Sequence, residues 1–289
     1  EAAQTRQSVL WEAQQIGLHL IYLNKKREQH QQRANEASRM LETLQAQMKA
    51  GEVSPLETNK AQLWVLQLEH RILELDLEIR RKAQRLTALN GGTEIMMEDT
   101  LYPDWPPFPA YDSLEAVILR NDLEYQWEKA NILVREKEIE VSQALKLPQL
   151  ETGYHYQSVL GQTFNGIHLG VSLPLWSNRK KVKAGKSMLI FQEQEARHVA
   201  HHLEAEIEKL YRQWEMLTQS QAAYREALAA ITTRQILDLL LQSGEIDFIS
   251  YSREMDYYYE AYDTLLEIEL RYHLTIAELL KYQLLEIQP

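Results

Sequence analysis

Hydrophobic residues recur along this chain with two different periods, and the change of period marks its architecture. Over Ile167–Pro174 the period is two: Ile167, Leu169, Val171 and Leu173 fall on one face, and His168, Gly170 and Ser172 on the other. Upstream, Tyr154 and Tyr156 alternate with Gly153 and His155 in a less regular arm. The pattern predicts a β-hairpin within Glu151–Trp176, with its loop in the Gly-, Ser- and Asn-containing stretch Ser158–Gly166. Pro148 and Pro174 bracket the unit, each where a helix or a ladder has to stop. An isolated two-stranded hairpin is marginal in water, so this one must join other strands, from this chain or from copies of it. Thr163–Leu173 has the length and alternation of a transmembrane barrel strand, about 9–11 residues. A hairpin folded onto a helical domain fits the same periodicity.

Elsewhere the period is helical. Glu1–Ala50 reads as one helix, without proline and with only Gly17 as glycine, and at about 1.5 Å per residue it would be ~75 Å long. Gly51-Glu52-Val53-Ser54-Pro55 ends it. Gly51 suits a left-handed C-cap, Ser54 an N-cap and Pro55 the first position of the next helix. The return helix, Pro55 to Leu89, carries two apolar stripes. Val65, Leu68, Ile72, Leu75, Ile79, Leu86 and Leu89 form one, broken at Lys82; Leu63, Leu66, Leu73 and Leu77 form the other. A two-stranded coil needs a single seam, so two seams call for neighbours on both sides. A wall of helices closed into a tube supplies them, and so does the middle of a solid bundle.

Asn90–Ser113 changes character: Asn90-Gly91-Gly92 stops the helix, and Tyr102–Pro109 is too rich in proline to be helical. This crossover is expected to pack across the outside of the helices. Leu114 to Leu147 is helical again. Beyond the hairpin comes a basic cluster, Arg179, Lys180, Lys181, Lys183 and Lys186, at what should be a helix start. Positive charge there opposes the helix dipole and calls for a compensating partner, for which anionic lipid head groups or plain solvation would serve. The helix is then expected to run unbroken to Ser243. Gly244-Glu245-Ile246-Asp247-Phe248 turns it back into a last helix reaching Glu286, again with two stripes. The expected divisions are 1–90 for the first long helical hairpin, 91–113 for the crossover, 114–148 for a helix, 149–176 for the β-hairpin and 177–289 for the second helical hairpin.

Gly51-Glu52-Val53-Ser54 and Gly244-Glu245-Ile246-Asp247 are one turn written twice, 193 residues apart (51 to 244). The same offset carries Leu44 onto Leu237, Leu73 onto Leu266 and Leu86 onto Leu279. Two copies of one helical hairpin are the economical reading. A complete duplication would place a counterpart of the β-hairpin ahead of Glu1, and the expectation is therefore of a longer chain with a first helix and a first hairpin.

Composition narrows the function. Among 289 residues there are only 10 Gly, 8 Pro and 4 Phe, and Glu, Gln, Leu and Ala dominate, as in long helices. A net charge of −11 with no basic domain to offset it argues against nucleic acid as a partner. With no cysteine, disulfides, thiolate metal sites and cysteine nucleophiles are excluded. No apolar run reaches the length of a transmembrane helix. There is no Ser/His/Asp set, phosphate loop or metalloprotease motif, so no enzyme activity and no cofactor are expected.

Leu147-Pro148-Gln149-Leu150 leading into Gly- and Tyr-rich strands, Gly170-Val171-Ser172-Leu173-Pro174-Leu175 closing the second, and the twice-used Gly-Glu-hydrophobic turn of the long helices resemble the TolC-like outer-membrane efflux family over essentially the whole chain. The resemblance implies a mainly α fold of very long antiparallel helical hairpins forming an α-barrel wall in the periplasm. The β-hairpin would contribute to a trimeric transmembrane β-barrel in the outer membrane of a Gram-negative bacterium. Three chains of the family close 12 strands with two hairpins each, whereas this sequence has one. The implied function is that of a homotrimeric passive exit duct, docking on a periplasmic adaptor (membrane fusion) protein and an inner-membrane pump. Its docking tips would be Gly51, Glu52, Val53 and Ser54 with Gly244, Glu245 and Ile246. The pore gate would fall on Asp247, Ser250, Arg253 and Asp256, as a carboxylate ring or an Arg–Asp clasp. Ile167, Leu169, Val171 and Leu173 would face outer-membrane lipid. The competing reading is a soluble coiled-coil interaction module with one hairpin.

A metal-efflux branch of that family exists, and His198, His201 and His202 put three imidazoles on one helical face. The same positions in the first repeat are Thr5, Ser8 and Val9, so a metal role has no support from the duplication; a solvated or interhelical face suits the trio as well.

Overall fold

The computed structural model describes residues 2–172, 179–230 and 232–285. Helix α1 (Ala2–Ala50) and helix α2 (Pro55–Leu89) form the first hairpin with the expected boundaries. Gly51 takes φ 77°, a conformation that a side chain resists. Its N–H donates to the Met48 carbonyl (3.0 Å), and that of Glu52 to Gln47 (2.9 Å), so two of the free carbonyls in the last turn of α1 are used. Ser54 then caps α2 in a capping box with Glu57, and Pro55 opens the helix where no N–H is needed.

The second hairpin repeats this in detail. Gly244 has φ 73°. The Gly244 N–H donates to the Leu241 carbonyl (3.2 Å) and that of Glu245 to Leu240 (2.9 Å). Asp247 caps α7 (Phe248–Leu279) by accepting from the Ser250 N–H at 2.7 Å. Each of these residues stands 193 positions after its counterpart in the first turn. The rising limb departs from expectation, because α5 (Arg179–Ala230) is followed by a separate α6 (Thr233–Gln242), with Thr232 outside the helix at φ −92° and ψ 13°. Thr232 and Thr233 are β-branched and so poor residues for a helix interior. The last helix likewise stops at Leu279 and passes into a 3-10 turn, Lys281–Leu285; Glu286 lies outside the described residues.

Where one helix was expected over 114–147 there are two, α3 (Tyr111–Asn121) and α4 (Leu123–Ala144). Asp122 parts them: its carboxylate accepts from the Tyr125 N–H (2.9 Å) and caps α4. Strands β1 (Gln149–Val159) and β2 (Gln162–Ser172) pair antiparallel from Gln149↔Ser172 to Val159↔Gln162. The predicted loop is thus strand for most of its length. Only Leu160 and Gly161 turn, both with positive φ (55° and 81°), the type I′ geometry that matches strand twist.

The chain divides into two compact units, residues 1–111 with 208–289 and residues 112–207. In the first, a tip cluster holds Leu44, Ala61, Leu237, Phe248, Tyr251 and Met255, with Trp64 edge-on to Phe248 at 5.9 Å. Leu18 of α1 meets Leu270 and Ala277 of α7 in another cluster. The crossover packs on the helices, as expected. Asn24 donates to the carbonyls of Met97 (2.9 Å) and Asp99 (3.3 Å), Tyr102 stacks on His273 at 3.9 Å, and Phe108 stacks on Trp214 at 4.4 Å.

Candidate functional site

The strand register sorts the hairpin into two faces. Leu150/Val171, Thr152/Leu169 and Tyr154/Ile167 are directly opposed, so Tyr156, Leu150 and the three β2 aliphatics share one side. The reverse side carries Glu151, His155, Gln157 and His168. His168 lies over Gly153, where an added Cβ would come within 2.4 Å of its ring, and its Nε2 is 4.0 Å from Glu151. The apolar side is not a core: Ile167, Leu169 and Val171 are 63–82 % exposed. Leu173, predicted to join them, lies outside the described residues. Each strand has 11 residues, enough to cross a bilayer at a barrel tilt. Among the described residues no helix is long and apolar enough to cross a membrane.

The two stripes of α2 meet different fates. From the first, Val65, Leu75 and Leu86 are buried. From the second, Leu63, Leu66, Leu73 and Leu77 are each more than half exposed. In the repeat, Leu73 and Leu77 correspond to Leu266 and Leu270 of α7, which are 1 % and 9 % exposed. The same position in one motif is therefore covered in the second copy and bare in the first. Charge reinforces the α1–α7 contact that covers Leu270. Arg33 donates to both carboxylate oxygens of Asp263 (3.1 and 2.7 Å). Glu269, almost enclosed, accepts from Lys25 (2.6 Å) and Arg225 (2.7 Å), and these cations hold its carboxyl below the usual range against the effect of burial. Beside it, burial pushes His273 down to about 4, and its Nδ1 accepts from the Trp105 indole at 2.7 Å. None of these pairings can be read from sequence spacing, because their members lie 44 to 244 residues apart.

Of the four predicted gate residues, Asp247 and Ser250 are bonded to each other in the α7 cap, which lowers the Asp247 pKa. Arg253 is exposed on the next turn. Asp256 faces Trp64 and Tyr259 in an open cleft also lined by His30, Arg33 and Asp263, and burial raises its pKa. The predicted tip residues gather at the two turns, where Val53 and Ile246 pack on the tip cluster and Glu52, Ser54 and Glu245 are exposed. His198, His201 and His202 do not converge: His201 pairs with Glu204 at 3.0 Å, and among the described residues no group of three or more His, Asp or Glu is arranged to hold a metal ion.

No protein-family model matches the chain, and no curated protein does. Solved structures do. The outer-membrane channel OprN superposes with a TM-score of 0.76 at 16 % identity, over 97 % of this chain and 66 % of its own. This is the fold of the outer-membrane channels. A membrane protein from Pseudomonas aeruginosa aligns with TM-score 0.70 at 12 % identity, over 96 % of this chain and 67 % of its own. The outer-membrane protein VceC from Vibrio cholerae gives 0.66 at 13 % identity, over 99 % and 71 %. At these identities the likeness is one of fold, and the chain spans about two thirds of the length of the channels it matches. Within the channel fold, the mainly helical architecture with one β-hairpin agrees with the sequence reading.

Proposed function

We propose that this chain is a subunit of an outer-membrane channel that serves as a passive exit duct in an efflux or export system. The observation that carries the reading is the uncovered apolar side of the hairpin: two 11-residue strands, with Ile167, Leu169 and Val171 exposed in register with Leu150 and Tyr154. Such a surface needs lipid on one side and further strands at its edges. The bare α2 stripe, whose repeat counterpart is covered, supports assembly with other copies into a closed helical wall, and the resemblance puts their number at three.

In this reading the helices stand in the periplasm. The turns at Gly51–Ser54 and Gly244–Ile246 are the docking tips for an adaptor protein, through which an inner-membrane pump is reached. Asp247, Ser250, Arg253 and Asp256 ring the entrance. The chain contributes no catalytic step: it supplies walls, a lipid belt and a constriction, and the pump chooses the cargo.

The test is the oligomeric mass of the full-length gene product with and without detergent, together with its conductance in a planar bilayer. A detergent-requiring trimer that conducts is expected, with conductance raised by Arg253→Ala or Asp256→Ala. A detergent-independent monomer with no conductance overturns the duct and leaves a soluble coiled-coil module.

A further inference from the structure

The chain carries a net charge of −11, yet it contains no Asp or Glu between Glu151 and Glu193. That acid-free segment holds the aliphatic row Ile167, Leu169 and Val171 of the hairpin and then, within seven residues of α5, Lys180, Lys181, Lys183 and Lys186. All four lysines are exposed. Their helix shows why. Val182 is buried, and Gly185 is so close to α4 that an added Cβ would sit 3.0 Å from Ile139 Cγ1. With 182 and 185 turned inward, the 3.6-residue period sends Lys180 and Lys183 to the opposite side, flanked by Lys181 and Lys186.

Among the described residues no ion pair joins these lysines to the facing helix, and Glu138, which lines a cleft with Lys181, is engaged along its own helix. The acids of α4 closest to the Gly185 contact in sequence, Glu138 and Glu140, are paired along α4 with Arg135 (2.7 Å) and Lys137 (2.8 Å). The first turn of α5 has no acidic residue, so the lysines also stand at the end of the helix dipole that repels them. A further exposed cation, Lys146, precedes β1 by three residues, so lysines flank the hairpin on both sides in the sequence.

We propose that Lys180, Lys181, Lys183 and Lys186 are a docking surface for the anionic phospholipid head groups of the leaflet at the base of the hairpin. The inference rests on the reading of the hairpin as a membrane segment, and it adds the chemistry of the membrane that segment selects. Phosphates offset the lysines and the helix dipole together, and the flexible stems let each ammonium settle at head-group level while the strands stay in hydrocarbon. The patch fixes how deep the barrel segment sits, in the way interfacial cations anchor a span.

The test is flotation of the full-length protein with vesicles of phosphatidylcholine alone or with one third phosphatidylglycerol, at low and high salt. Each lysine near an anionic surface is worth about fivefold in partitioning. The expected preference for the phosphatidylglycerol vesicles is therefore about a hundredfold or more at low salt, shrinking sharply at high salt. The variant Lys180→Gln/Lys181→Gln/Lys183→Gln/Lys186→Gln should lose that preference while still binding both vesicles through the strands. Preference retained by the variant overturns the proposal, and so does its abolition by millimolar inorganic phosphate, which would mark a free-anion site. Equal binding to both vesicles by the unaltered protein overturns the proposal and leaves the duct reading intact. Binding to neither overturns both.

Discussion

Leu44 and Leu237, 193 positions apart, lie in one buried cluster where the two helical hairpins turn, 5 % and 7 % exposed. Each occupies the same place in its own copy of the motif, seven residues before the turn glycine. A duplicated sequence has thus been folded so that its copies meet at equivalent residues. Replacing either leucine by alanine should cost about 2–4 kcal/mol in denaturant unfolding, as for buried leucines generally. Equal losses are expected from the two substitutions. A loss at one site alone would mean that the copies do not share the tip core.

The turn glycines give a second matched pair. Gly51 and Gly244 both have φ above 70°, and an added Cβ at either would meet nothing within 4 Å. Gly51→Ala and Gly244→Ala should therefore each cost only the backbone strain, about 1 kcal/mol, without disturbing packing. Chemical denaturation checks the size, and an unchanged far-ultraviolet spectrum checks that the helices flanking the turn persist.

Removing the buried carboxylate at the α1–α5–α7 junction should cost much more than removing an exposed one. Glu269→Gln leaves Lys25 and Arg225 facing a neutral group, for an expected loss of about 2 kcal/mol. Glu208→Gln breaks the exposed Arg212 pair (2.7 Å) and should leave stability essentially unchanged. Thermal unfolding of the two variants side by side decides it.

Acid should loosen this unit through its buried histidines. Burial, first among the causes, puts both His30 and His273 at about 4, below the ordinary 6.5. A folded pKa that is depressed gives stability present above pH 6.5 and lost as pH falls through 4. Allowing for partial relaxation, a loss of about 2 kcal/mol, or about 5 °C in Tm, is expected between pH 7 and pH 4.5. His273→Gln should flatten the profile in that window. An unchanged slope would show that the imidazole is not the group responsible.

Leu66 and Leu73 on the bare stripe of α2 should behave in the opposite way to the core leucines. Leu66→Lys/Leu73→Lys is expected to leave the unfolding of an isolated chain within about 0.5 kcal/mol of the original. Sedimentation should show that the same pair prevents assembly. Assembly at the original strength would place the interface elsewhere.

Most of the helical frame was legible because it is written in local chemistry. Gly51, Ser54 with Glu57, and Pro55 each act within a few residues, and the structure uses them as their chemistry demands. The break at Asp122 was legible in principle, since Asn-Asp followed by Leu-Glu is a cap signal, but the apolar periodicity around it is strong enough to mask it. The hairpin loop was misplaced for a related reason. Gly166 and Asn165 have turn-like composition, yet they lie in the ladder opposite His155 and Tyr156, and Leu160, an apolar residue with positive φ, forms the turn instead. The junction of Glu269 with Lys25 and Arg225, and of Trp105 with His273, depends on which faces meet after folding, and no single-chain periodicity encodes that.

The unequal fate of the α2 and α7 stripes has a consequence for the life of the newly made polypeptide. In the single chain Leu63, Leu66, Leu73 and Leu77 stay more than half exposed although the helix that bears them is already formed. If the proposed assembly covers them, the apparent melting temperature should climb with protein concentration. On the proposed assembly, the vulnerable interval is the one before copies meet, when holdases and proteases can reach the same leucines.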